Sequence, residues 1–189
     1  LWPDLSGATD KRAMFKTSAF NANMTQAQIA DISDFSNGLH INKYRNIRSD
    51  GGAVNDPNKN FADIDFPLMR LPEMYFIYAE AVLRGGTGGS TATALGYINS
   101  LRTRAGATTI SSGELTLQFI LDERARELYW EGHRRTDLIR YGILTTNTYL
   151  WPWKGGVASG SAVDSKYNIY PVPVANLNSN KNLTQNTGY

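Results

Sequence analysis

The densest run of ionisable side chains is Glu123-Arg124-x-Arg126-Glu127-Leu128-x-x-Glu131-Gly132-His133-Arg134, followed by Asp137-Leu138-x-Arg140-x-Gly142. Two carboxylates facing one another across a cleft of roughly 5 to 9.5 Å would make a glycoside hydrolase. Glu123, Glu127 and Asp137 are the residues that could supply them. The spacing argues otherwise: Glu123 and Glu127 stand one turn apart on the same face of a helix, within reach of several arginines. Such neighbours lower carboxylate pKa values, whereas a general acid needs a raised one. Glu123, Arg124, Arg126, Glu127, Arg134 and Asp137 are therefore read as structural ion pairs.

Other chemistries find less support. His40 and His133 are far apart and poorly accompanied for a metal site. Asp63 and Asp65 flank Ile64 and could reach an oxygen-liganded ion, but no EF-hand spacing surrounds them. Gly85-Gly86-Thr87-Gly88-Gly89-Ser90 precedes a helix, yet it lacks the lysine and the preceding strand of a phosphate-binding loop. No nucleophile elbow is present. The chain has no cysteine, which removes disulfides, thiolate metal ligands and thiol catalysis. The expectation is a protein without catalytic residues, metal or cofactor.

Aromatic residues are the remaining candidates. Trp151 and Trp153, two apart around Pro152, would share one side of an extended segment, with Tyr149 two residues earlier and Asn147 and Lys154 as polar neighbours. Indole and phenol rings stack on the flat C–H faces of sugars while polar groups fix the hydroxyls. Trp2 is a weaker candidate of the same kind. The competing reading, which is favoured, is that Tyr149-Leu150-Trp151-Pro152-Trp153 pins the C-terminal loop onto the helices.

The elements that would position these residues are mostly helical. Residues 1–67 are punctuated by Gly, Asn, Asp and Ser. Turns are expected at Ser49-Asp50-Gly51-Gly52 and Asn55-Asp56-Pro57-Asn58, a short strand within Leu39–Tyr44, and two helical turns from Met24 to Ile32 capped by Thr25. A first long helix opens at Pro72 and ends at Arg84-Gly85-Gly86. Leu71, Met74, Tyr75, Tyr78, Ala81 and Val82 form its apolar stripe, and Phe76, Ile77 and Leu83 lie on other faces. Ser90 or Thr91 caps a second helix that buries Ala94, Leu95, Ile98, Leu101 and Ala105 and stops at Gly106. The two should form an antiparallel hairpin. Ala79-Glu80-Ala81 followed by Ala94-Leu95-x-Tyr97-Ile98 resembles the middle of a tetratricopeptide repeat. A single repeat cannot bury its own face.

A third helix is expected from Leu117 to Glu131, closed by Gly132, with Asp122 and Arg126 paired outside. A short fourth helix follows over 137–142. Beyond it lie a Gly/Ser-rich loop and a Pro/Asn-rich tail, Tyr170-Pro171-Val172-Pro173 and Leu177–Tyr189, with no helical or strand period.

Composition sets the bounds. The 189 residues are 41% hydrophobic and 19% charged, which are globular values. Nineteen basic and seventeen acidic residues are interleaved, giving a net charge of +2. No basic stripe suited to a nucleic-acid backbone is visible. No apolar run approaches the about 20 residues of a membrane span.

Three segments then carry a resemblance: Phe66-Pro67-x-x-Arg70-Leu71-x-Glu73-x-Tyr75-x-x-Tyr78-Ala79-Glu80-Ala81, Ile98-Asn99-x-Leu101-Arg102-x-Arg104-Ala105-Gly106, and Ile120-Leu121-x-Glu123-Arg124-x-Arg126-Glu127-Leu128 onward to Gly142. With Lys43-Tyr44-Arg45-Asn46 and Asp63 and Asp65 before them, and Pro171-x-Pro173 and the terminal Asn182-Leu183-Thr184-Gln185-Asn186-x-Gly188-Tyr189 after them, they resemble the ordered signatures of the SusD/RagB family. Pro72 departs from the family's more usual Ala.

The resemblance implies a mainly α, SusD-like fold of tetratricopeptide-like helical hairpins with long irregular loops and a few short strands. Residues 1–67 would be the C-terminal end of a loop-rich, ligand-facing region and 68–189 a helical region with an extended tail, in one continuous domain. It implies non-catalytic binding of an oligo- or polysaccharide at the bacterial outer-membrane surface, for uptake through a SusC-like TonB-dependent transporter. It also implies a longer lipoprotein, whose N-terminal half and lipid-bearing cysteine would lie upstream of Leu1. The alternative is a helical-repeat module that binds another protein and has no sugar site. Solvent-facing aromatic rings would favour the sugar, and buried ones the scaffold.

Overall fold

The computed structural model describes residues 2, 9–16, 29, 31–34, 36–48, 50–56 and 61–189. The helical turns expected between Met24 and Ile32 lie largely outside these residues, as do Ser49, Pro57 and Asn58 of the two turns. The chain divides into two units, one of residues 1–22 and 39–134 and one of residues 23–38 and 135–189.

The first unit is built on three helices. Helix α1 spans Leu71–Leu83 with Pro72 in its first turn, where a missing N–H costs no intrahelical bond. Helix α2 spans Thr91–Ala105. Ser90 caps it by accepting from the Thr93 amide, and Gly106 ends it at φ 73°. A Cβ at Gly106 would also come within 2.9 Å of the Thr9 carbonyl. The hairpin is antiparallel. Tyr75 stacks on Tyr97 at 4.3 Å, Tyr97 meets Tyr78 edge-on, and the Ser90 amide donates to the Tyr78 hydroxyl. Later residues of α1 thus meet earlier residues of α2.

Helix α3, Leu117–Leu128, is capped by Thr116 and packs against α1. Before it, Asn99 bonds Ile110 both ways, and Ser111 with Glu114 forms a reciprocal capping box. The core is Phe76, Ala79, Ala94, Ile98, Leu101, Leu115, Ile120 and Leu128. A two-residue antiparallel ladder, β1 (Phe15–Lys16) with β2 (His40–Ile41), lies in the same unit.

Two expectations are corrected here. On α1 the fully buried positions are Pro72, Phe76, Ala79 and Glu80, not the stripe through Leu71 and Met74. Leu71 is 61% exposed and Ile77 50%, whereas Tyr75, Tyr78 and Val82 are half-buried. A helix apolar on all sides carries no signal for which face turns inward. Second, α3 ends at Leu128 and not at Glu131. Tyr129 is extended and Trp130 takes φ 62°, so Gly132 follows the turn rather than closing the helix.

The second unit contains α4, which runs from Arg134 on the unit boundary to Arg140, three residues earlier than expected, and α5 at Val174–Ser179. The latter corrects the reading of the tail as wholly non-helical; its Pro173 entry supplies a preset φ where no periodicity announced a helix. The family-like terminal residues fold back on the Pro-rich segment. Gln185 donates to the Val172 carbonyl and accepts from its amide at 3.0 and 2.7 Å, and Asn186 donates to the Tyr170 carbonyl at 2.6 Å. Side-chain amides here take the place of a strand partner, because Pro171 and Pro173 have no N–H to offer a ladder. The Tyr189 hydroxyl donates to the Ile169 carbonyl at 2.9 Å, and Lys166 reaches the Gly188 carbonyl. No helix among the described residues is long and apolar enough to cross a membrane.

Candidate functional site

Two places collect the residues singled out by the sequence, one in each unit. In the first, α3 turns Glu123 and Glu127 inward from successive turns, and both are buried. Residues one apart on a helix point about 100° apart, so Arg124 cannot share the face of Glu123. The cations therefore come mostly from other elements. Glu123 accepts from Arg12 at 2.9 Å, Arg102 at 2.8 Å and Arg126 at 2.6 Å. Glu127 accepts from Arg70 at 3.1 Å and from Arg104 at 2.6 Å, with Arg12 at 3.6 Å. Arg126 thus turns to Glu123, an inward partner that the sequence did not suggest. Arg134 donates to the Leu121 carbonyl, and Arg124 lies 5.9 Å from the Phe76 ring centroid. Asp137, in the second unit, accepts from Arg140 at 2.8 Å.

Glu131 completes the network. Arg70 bonds both of its oxygens, and Lys43 donates to it and to the carbonyls of Glu127 and Tyr129. Burial alone would raise the Glu131 pKa, but the hydrogen bonds and charges of Arg70 and Lys43 outweigh it and hold the carboxyl low. Burial also dominates at Lys43, whose pKa falls despite Glu131. Asp10 is held low in the same way as Glu131, chiefly through its bonds with Arg12. Carboxylates depressed and saturated by arginine are poor general acids. Among the described residues no group of three or more His, Asp or Glu could hold a metal.

The network lines a recess of about 370 Å³ in the first unit, with Lys11, Arg12, Lys43, Arg70 and Arg104 among its cationic walls and Tyr44 and Tyr129 as its rings. Trp2 stands behind that wall. Its ring is edge-on to Tyr129 at 5.6 Å and to Phe15 at 5.5 Å, and its indole N–H donates to Asp10 at 3.2 Å. Trp2 is thus half-buried and engaged.

The loop of the second unit holds the other aromatics. Lys154 is buried, and its ammonium donates to the carbonyls of Thr146 and Tyr149 at 2.9 and 2.8 Å. The same nitrogen lies 4.8 Å from the Trp151 ring centroid. Trp153 adopts φ 69°, a conformation bulky side chains avoid, and its buried indole N–H has no partner among the described residues. Trp151 and Trp153 therefore do not share one side of an extended strand. Trp151 keeps 37% exposure, beside Tyr149 at 6.1 Å.

Sequence reasoning missed Arg12, Asp10 and Arg104 as partners of this network. Arg70, Lys43 and Arg104 stood in the quoted motifs, which was a usable signal; Arg12 carried none.

Residues 10–189 match the model of the SusD family. The chain is 45% identical over 185 residues to the starch-binding protein SusD of Bacteroides thetaiotaomicron, which covers 98% of this chain and 32% of that protein. Among solved structures it is similar to surface glycan-binding protein A from Bacteroides uniformis (TM-score 0.65, 28% identity, 94% of this chain and 38% of that one). It is also similar to surface glycan-binding protein A from Bacteroides thetaiotaomicron (TM-score 0.60, 25% identity, 95% and 38%). The chain thus spans about a third of the length of the curated relative it matches. Its mainly helical fold is that of these structures, and the match runs through the ion-paired helices to the terminal tyrosine: the chain belongs to the SusD/RagB family.

Proposed function

We propose that this chain is part of a glycan-binding protein of the bacterial outer-membrane surface, which holds an oligo- or polysaccharide for import through a SusC-like TonB-dependent transporter. SusD family proteins bind without catalysing a reaction, and the family is one of cell-surface lipoproteins of the outer membrane. The observation that carries the reading is the 45% identity, across nearly the whole chain, to a protein named for starch binding. The saturated carboxylates of Glu123, Glu127 and Glu131 are consistent with it, since they leave no acid–base pair.

Within this chain Trp151 is the residue we assign to a sugar ring. Lys154 and Trp153 fix its loop, and Trp2 supports the wall of Tyr129. The rest of a SusD-length polypeptide would supply further contacts and the lipid anchor. The second reading, a protein-binding helical module, is favoured by one observation: Leu71, Met74 and Ile77 leave an apolar face of α1 exposed. In the glycan reading that face is covered by the remainder of the polypeptide.

Titration calorimetry of the full polypeptide against neutral oligosaccharides, starch-type glucans included, tests the proposal. Binding of at least one glycan, weakened several-fold or more by Trp151→Ala, is expected. No binding to any glycan, together with binding to a transporter barrel, would move the assignment to the protein-binding module.

A further inference from the structure

The recess of the first unit is charged in a way the ion pairs do not exhaust. Among the described residues, five cations line it (Lys11, Arg12, Lys43, Arg70 and Arg104) against two carboxylates (Glu127 and Glu131); Arg12 is paired as well with Asp10 and Glu123, so the positive charge left over is that of Lys11 and Arg104. Both carboxylates are saturated, each accepting from at least two cations. The donors are not. Lys43 spends all three of its hydrogens. Arg104 donates only through Nη2, leaving Nε and Nη1 without partners among the described residues, and its side chain is half exposed. Lys11 is exposed and its ammonium has no partner among the described residues either. The Tyr44 hydroxyl is likewise unengaged and its ring is partly exposed.

An excess of positive charge in a concave, partly dry site concentrates potential and favours an anion. Guanidinium N–H groups and an ammonium together suit a carboxylate, which accepts on both oxygens. A phenol ring beside them offers a stacking face for a flat C–H surface. The volume of about 370 Å³ falls at the lower end of the range for small-molecule sites. A ring that carries its own carboxylate satisfies all of these features together.

We propose that this recess binds the carboxylate of an acidic sugar unit, a uronic acid residue of an acidic glycan, with Lys11 and Arg104 on the carboxylate and Tyr44 on the ring. The proposal rests on the glycan-binding reading above and adds a ligand class and a second site to it. The charge imbalance decides for an acidic sugar over a neutral one. The exposed ring of Tyr44 decides for a sugar over an acidic peptide side chain.

The test is calorimetry of the full polypeptide with an oligogalacturonate, its methyl ester, a sulfated neutral oligosaccharide, a glutamate-rich peptide and a neutral glucan. Esterification removes the charge and keeps the ring. We expect the acid to bind at least tenfold more tightly than the ester, with an affinity that falls as salt rises. We also expect Lys11→Gln, a change at an exposed residue outside the ion-pair network, to weaken the acid at least threefold and leave neutral-glucan binding unchanged. Arg104→Gln and Tyr44→Ala should act in the same direction.

Equal affinity for acid and ester, or indifference to both Lys11→Gln and Arg104→Gln, overturns the inference. Preference for the sulfated oligosaccharide or for the peptide overturns it too, in favour of a sulfate site or a protein contact. Retained neutral-glucan binding at Trp151 in any of these cases leaves the glycan-binding reading standing. Loss of all glycan binding removes both.

Discussion

Arg70 holds Glu131 with a two-point fork, Nε to Oε2 at 2.8 Å and Nη2 to Oε1 at 2.7 Å. The pair ties the residue before α1 to the turn after α3, across sixty-one positions of sequence. Its planar geometry makes it specific to arginine, because an ammonium cannot present two parallel N–H groups. The same side chain reaches Glu127, so one guanidinium fixes both ends of the α3 exit.

Arg70→Lys should therefore destabilise the chain even though the charge is kept. A buried pair broken outright costs about 3–5 kcal/mol. Arg70 is partly exposed and lysine retains one contact, so a loss of about 1–2 kcal/mol is expected. Chemical denaturation of the variant checks this; unchanged stability would show that the fork contributes nothing.

Stability should fall on acidification. Glu131 and Asp10 titrate below their ordinary values of 4.5 and 3.8 in the folded chain. A carboxylate whose folded pKa is depressed contributes stability that is complete above its unfolded pKa. That contribution is lost as pH falls through the folded value. The Tm should thus be flat above about pH 5 and decline below about 4.5. Glu131→Gln should lower the plateau and flatten the decline, measured by thermal melts from pH 3 to 7.

The inward face of α1 is set by Phe76, which is fully buried among Ile98, Leu101 and Ile120. Phe76→Ala should cost about 3–5 kcal/mol. Leu71→Ala, on the exposed side of the same helix, should change stability by less than about 0.5 kcal/mol. A reversed order in denaturant titrations would refute the placement of the core.

Trp130 sits at φ 62° and is 64% exposed. Its neighbours explain the strain. Tyr129 is turned in, with its hydroxyl on the Arg12 carbonyl at 2.8 Å, and Glu131 is turned in to Arg70 and Lys43. The residue between them takes up the reversal. Trp130→Gly should relieve about 1 kcal/mol of backbone strain, offset by the greater freedom of glycine when unfolded. Stability within about 0.5 kcal/mol of the parent is expected, whereas Trp130→Val should lose 1 kcal/mol or more, since a β-branched residue avoids this region.

Gln185→Ala should loosen the tail. It removes two hydrogen bonds to Val172 and one from the Asn186 amide, and no ladder can replace them at the prolines. Hydrogen exchange at the Val172 amide should accelerate at least tenfold while exchange in α2 stays unchanged.

Much of this was legible in the sequence for local reasons. Ser90 and Thr116 as caps, Gly106 as a stop and the apolar repeat of Ala94, Ile98, Leu101 and Ala105 each depend on neighbours within one or two turns. The ordered motifs gave the family through residue identity alone. The placement of Glu123 and Glu127 on one face of α3 also followed from the helical period. What only the tertiary structure decided involves partners distant in sequence. Arg12 meets Glu123 across 111 positions, and Arg70 meets Glu131 across 61, distances over which no periodicity speaks. Helix α1 is apolar on every side, so its neighbours chose Phe76 over Leu71 for the core. The αL turns at Trp130 and Trp153 defy residue preference because the side chains flanking them are already held. In each case a long-range contact outweighed the local one, because leaving a buried charge unpaired or a ring in water costs more than the backbone preference overridden.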